Sequence, residues 1–141
     1  MTSRPLPIPD ETSAGYWAAA ADHLLAVAKC GRCGVLAMPP DVVCASCGST
    51  DPEFTFTPVS GRAAVRSWVV VRQAFLPGFD AELPFVLVDV ELAEQADLRM
   101  IGRLLDGFDC AQSELRIGAE VTVAFEDLSD TIAIPAFELV R

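Results

Sequence analysis

Apolar and polar positions keep two different rhythms along this chain. Between Ser13 and His23 the residues Tyr16, Trp17, Ala20 and Ala21 recur at helical spacing within an alanine run. Asp10, Thr12 or Ser13 can cap the start, so the pattern predicts a short helix there. The stretch LLAVAKC that follows reads as a short strand. From Phe54 onward the apolar runs are short and punctuated by turn residues at Ser60–Gly61, Pro77–Asp80 and Asp106–Asp109. They predict strands at Phe54–Val59, Arg62–Val71, Phe85–Leu92, Met100–Leu104, Glu120–Phe125 and Ile134–Leu139. A short helix or turn is expected near Cys110–Leu115, and residues 1–12, rich in proline, are expected to form an extended arm.

Five or so strands within roughly eighty residues are too few for a seven-stranded sandwich and fit a small barrel. The best match is the five-stranded, partly open barrel of the oligonucleotide/oligosaccharide-binding (OB) type. Composition agrees with a packed domain: of 141 residues, 52% are hydrophobic and 21% charged. The longest apolar run, Tyr16–Ala21, is far too short for a membrane span, and the N-terminal segment carries no apolar signal region. A cytoplasmic location is therefore expected. The formal net charge of −10 argues against a general nucleic-acid binder, which needs clustered Lys and Arg.

The cysteines change the picture most. KCGRCGVLAMPPDVVCASCGS, residues 29–49, holds two Cys-x-x-Cys-Gly units: Cys30 with Cys33, and Cys44 with Cys47. Each unit points two sulfurs at one ion, and the following glycine lets the backbone turn with positive φ. Two such knuckles bring four thiolates into a tetrahedron around zinc, with Zn–S near ~2.3 Å. Four thiolates close the shell, which favours a structural over a Lewis-acid metal. Iron of the rubredoxin kind uses the same ligands, so an electron carrier stays open as an alternative. Cys110 stands apart and reads as a small buried apolar residue. His23, the single histidine, reads as a helix-surface residue or helix-end cation.

The ordered set of a helix with Tyr16–Trp17, CGRCG, MPP, CASCGS, VSGRAAVRSWVVV, LPFVLVDVEL, RMIGRLLD and IGAEVTVAFED resembles one family over about residues 13–139. It is that of the bacterial and archaeal OB-fold proteins with an N-terminal rubredoxin-like zinc ribbon. The expected fold class is thus mainly β: an N-terminal arm and helix (1–24), a zinc ribbon (25–53) and a five-stranded OB domain (54–141). The resemblance implies an accessory subunit rather than an enzyme in its own right. Its expected partner in a hetero-oligomer is a thiolase-fold enzyme or aldolase acting on acyl-CoA, some in steroid or fatty-acid side-chain breakdown. A role in binding or channelling the CoA thioester is also implied.

Several residues could serve that role. Arg62 and Arg72, among the arginines of the barrel half, can pair with CoA phosphates; pairing with neighbouring carboxylates competes with this. Phe75 and Phe79 lie in the unusually apolar RQAFLPGFDAELPF loop, suited to an acyl chain or a partner. Tyr16 and Trp17 are candidate partner contacts. Asp89, Glu91, Glu94 and Asp97 are expected to face solvent. A nucleic-acid-binding OB and zinc-ribbon protein is the other alternative, against which the charge and the single lysine count.

Overall fold

The structure, a computed structural model, describes residues 4–141, so the first three positions of the expected arm lie outside the described residues. Helix α1 (Ala14–Ala21) follows a turn organised by Asp10, whose carboxylate accepts the N–H groups of Thr12 (3.0 Å) and Ser13 (2.9 Å). It ends short of the expected His23, which takes the left-handed conformation (φ 59°) and turns the chain out of the helix.

The next strand, β1 (Ala26–Lys29), is the middle of a three-stranded antiparallel sheet with β2 (Leu36–Ala37) and β3 (Thr55–Pro58). The strand expected at Phe54–Val59 therefore forms, but it pairs with β1 (Ala26↔Pro58 to Lys29↔Thr55) and not with the barrel. The second edge of β1 offers it a hydrogen-bonding ladder, and the turn at Ser60–Gly61 then redirects the chain.

Five strands make the barrel: β4 (Arg62–Val71), β5 (Phe85–Leu92), β6 (Arg99–Leu104), β7 (Glu120–Asp127) and β8 (Ala133–Leu139). They close in the order β4-β5-β6-β8-β7, with helix α2 (Phe108–Glu114) between β6 and β7. β5 shows why these residues make a wall. Val86, Val88, Val90 and Leu92 point inward and are buried, while Phe85, Leu87, Asp89 and Glu91 point outward. A bulge between Val65 and Ser67 lets β4 bend to serve both β5 and β7. Closure is thin at one seam: β6 and β8 run parallel and pair only at Arg103↔Ala136 and Leu104↔Phe137. Pro135 has no N–H with which to extend that ladder.

Phe137 fills the centre, fully buried, and its ring lies against Gly102 on β6. A Cβ at position 102 would sit 2.8 Å from that ring. Leu25 and Val27, flanking and within β1, belong to the same apolar cluster as Val65, Val86, Val88 and Leu104. The ribbon sheet and the barrel thus share one core. Among the described residues, no helix is long and apolar enough to cross a membrane.

Two outcomes follow from this packing. Gly102→Ala should destabilise the fold by about 1–3 kcal/mol through overpacking; an unchanged urea midpoint would contradict the contact with Phe137. Tyr16, the single tyrosine, packs on the core, and burial pushes its phenol up to about 12. Its 295 nm absorbance should therefore rise near pH 12 and not near 10. Because the folded form holds its proton longer than the unfolded chain, stability should fall as pH climbs from about 10 through 12. A midpoint near 10 would mean that α1 is not docked.

Candidate metal centre and the surfaces around it

The four cysteines meet as their spacing requires. In each knuckle the glycine after the second cysteine has positive φ (Gly34 81°, Gly48 75°) and donates its N–H 2.9 Å to the carbonyl of the first, Cys30 or Cys44. Only a residue without Cβ takes that conformation cheaply. All four Sγ atoms lie within 4.8 Å of one another, with Cys33–Cys44 at 3.7 Å and Cys30–Cys47 at 3.9 Å. A tetrahedral ion with ~2.3 Å metal–sulfur bonds needs S–S edges of about 3.8 Å. The four sulfurs therefore form a metal-ion site whose size fits zinc.

The surrounding backbone favours thiolate. N–H groups of Cys47 and Ser46 hold the Cys44 thiol down at about 6. Cys47 is pushed up to about 11; the Ser49 N–H opposes this, and desolvation and the adjacent sulfurs, Cys44 first, outweigh it. Four sulfurs this close cannot all be anionic without a cation among them, and a divalent ion removes that conflict. Sulfur donors in all four tetrahedral positions leave none for water or substrate, which is the arrangement of a structural site.

An amide clamp sets the ribbon on the barrel. Gln95, in the β5–β6 turn, accepts the Leu36 N–H (2.9 Å) through Oε1 and donates Nε2–H to the Leu36 carbonyl (2.8 Å). It pairs with β2 as another strand would. At the other side, His23 stacks on Phe125 of β7 (5.2 Å, 6°), and its Nε2 lies 2.7 Å from Asp127 Oδ1. His23 is thus a tie between α1 and the barrel, beyond its expected place on the helix surface. Tyr16 and Trp17 meet edge to face (4.9 Å). Together with Met38, Pro39, Pro40 and Phe56 they line an apolar groove of about 230 Å3.

Of the four residues proposed for a CoA thioester, Arg62 opens β4, whereas Arg72, Phe75 and Phe79 lie past its other end in the 72–84 segment. Arg62 borders a cleft of about 470 Å3 walled by Ala63, Ala64, Gln95 and Glu120. Arg72 lies just past the other end of β4, roughly 30 Å along the strand, with its guanidinium over the Phe108 ring at 5.0 Å. Phe75 is 85% exposed at the tip of its loop, whereas Phe79 is half-buried against Phe85. Carboxylate partners claim other arginines: Arg66 meets Glu91 (3.1 Å), Arg99 meets Asp89 (3.0 Å) and Arg103 meets Glu82 (2.8 Å). Asp89 and Glu91 face outward as the alternation predicts.

Cys110 departs from expectation. It is half-exposed, its thiol 2.6 Å from Glu114 Oε2 and 2.8 Å from Arg141 Nη2. On the short α2 it is Ala111 that faces the core, which leaves Cys110 beside Glu114 one turn on. Glu114 first, then desolvation, raise its pKa, so the thiol stays protonated. Arg4, Gln95 and the Asp127 partner of His23 had no sequence signal. Their contacts span 59 to 122 residues and follow no local period.

Known proteins share this architecture. The C-terminal OB-fold domain of ChsH2 matches residues 56–126, and the ChsH2 rubredoxin-like zinc ribbon domain matches residues 17–53. A probable enoyl-CoA hydratase alpha subunit from Thermomonospora curvata is 28% identical over 134 residues, covering 95% of this chain. The chain spans 39% of that relative's length. A solved chain of the Ltp2–ChsH2(DUF35) aldolase superposes with a TM-score of 0.78 at 28% identity, over 94% of this chain and 98% of that one. Two domain matches in the order seen here, ribbon then barrel, show that the chain belongs to the ChsH2 family of zinc-ribbon and OB-fold proteins.

Proposed function

We propose that this chain is a non-catalytic accessory subunit of an acyl-CoA enzyme, an aldolase or thiolase-fold partner, and that a structural zinc shapes its ribbon. One observation carries this reading: near-complete coverage of both chains in the match to the aldolase structure. The acyl-CoA chemistry is supported by the name of the hydratase relative, of which this chain corresponds to a part.

The side chains agree with a supporting role. The outward carboxylates of β5 accept from arginines, His23 is engaged with Asp127, and the four thiols form a closed donor set. Four sulfur donors closed around one ion offer no open position to a substrate. The partner contact falls on the 72–84 loop, where Phe75 and Leu76 are exposed. An apolar side chain held out on a loop suits an anchor in a partner's pocket. Nucleic acid fits less well, because Arg66, Arg99 and Arg103 are already neutralised by carboxylates on the barrel wall.

Elemental analysis of the purified chain should give one zinc per molecule in a colourless protein. Cys44→Ser should lose the metal and unfold the ribbon, since metal binding supplies on the order of 10 kcal/mol of folding energy in such modules. A red, iron-loaded protein would favour the electron carrier, and full metal retention in the serine variant would remove this site assignment. For the partner, a thiolase-fold enzyme encoded beside this chain should co-purify with it. Phe75→Asp should weaken that complex roughly tenfold or more without changing the melting temperature. Failure to form a complex, or a partner fully active and soluble alone, would sink the accessory-subunit reading.

A further inference from the structure

Arg4 of the N-terminal arm sits in a built site on the barrel wall. Arg4 Nη2 lies 2.7 Å from both carboxylate oxygens of Glu82, and Nη1 lies 3.3 Å from Glu126 Oε2. The guanidinium plane sits over the Phe79 ring, 5.3 Å from its centroid, and the Arg4 side chain is only 9% exposed. Glu82 also accepts from Arg103, whose guanidinium covers Phe85 at 5.1 Å. Two arginines, two glutamates and two phenylalanines thus form one charge-balanced, layered cluster. It gathers segments 78 and 122 residues away from Arg4.

The cluster's position gives it a purpose. Arg4 and Trp17 border a cavity of about 280 Å3 that also touches Phe79, Phe85, Met100 and Ile134. Its floor is the stretch where β6 and β8 fail to pair beyond Arg103 and Leu104. Between Arg4 and Asp10, Pro5, Pro7 and Pro9 keep the arm extended.

We propose that Glu82, Glu126 and Phe79 form a guanidinium-selective site, and that the arm is its resident ligand. The arm is then a strap across the thin seam of the barrel, latched by Arg4. The latch also holds the apolar 72–84 loop, because Phe79 precedes and Glu82 closes that loop's 3-10 turn (Asp80–Glu82). A guanidinium suits this site and an ammonium does not. Only the planar fork can meet two carboxylates in different directions while its face rests on an aromatic ring. This inference does not depend on the accessory-subunit reading.

The test compares the full chain with Arg4→Ala and Arg4→Lys by amide hydrogen exchange across residues 79–85, each variant first shown to fold by its thermal transition. Exchange there should rise by roughly tenfold or more in Arg4→Ala, the scale of losing a charge-assisted fork. Arg4→Lys should recover little of this. Methylguanidinium chloride should restore protection to Arg4→Ala in a saturable manner, and equal ionic strength of tetramethylammonium chloride should not. Glu126→Gln, which keeps the shape of the site, should reduce that rescue. Unchanged exchange in Arg4→Ala, full recovery with lysine, or equal rescue by both salts would each overturn the proposal. If Arg4→Ala does not fold, Glu126→Gln decides alone: exchange at 79–85 equal to the unsubstituted chain would overturn it.

Discussion

Burial of β1 on both faces and both edges is the constraint on which the rest of the structure depends. Leu25, Ala26, Val27 and Ala28 are each almost wholly shielded from water. Leu25 and Val27 join the barrel's apolar cluster, the backbone is paired on one side by β2 and on the other by β3, and α1 packs against the same strand. A sheet of three short strands cannot build a core of its own. It borrows one from the barrel, and the four-sulfur site fastens the hairpin whose strands β1 and β2 begin the metal module. The Gln95 clamp on Leu36 then satisfies backbone groups that the short strand β2 would otherwise leave unpaired.

Charge shows a similar economy. The chain is strongly acidic, yet the barrel wall is a mosaic in which Arg66, Arg99 and Arg103 each sit on a carboxylate. The exposed pairs, Arg66 with Glu91 and Arg99 with Asp89, contribute little to stability. Their effect is to cancel the field that a phosphate chain would need.

Where local rules act alone, the sequence could be read. The β5 alternation specified both its span, Phe85–Leu92, and which side faces inward, because a period of two has only one way to bury four apolar residues. The metal ligands were legible for the same reason: two short knuckles with fixed internal geometry place the donors irrespective of the fold around them. The 54–59 strand is legible from its pattern, but its pairing with β1 is not, since the residues of a strand record that it pairs and not with what. Cys110 was misread because its facing depends on how a two-turn helix rotates, and Ala111 won the core side.

By itself, then, the sequence determined most of the elements, the barrel class and the four-sulfur site, all products of local spacing and pattern. The tertiary structure alone decided that ribbon and barrel share one core, that the candidate residues Arg62 and Arg72 stand at opposite ends of β4, and that Arg4 reaches Glu82 and Glu126. Those outcomes join residues far apart in the chain. Their partners are selected by the folded geometry, in which a charged or polar group must find whatever counterpart the packing brings within reach.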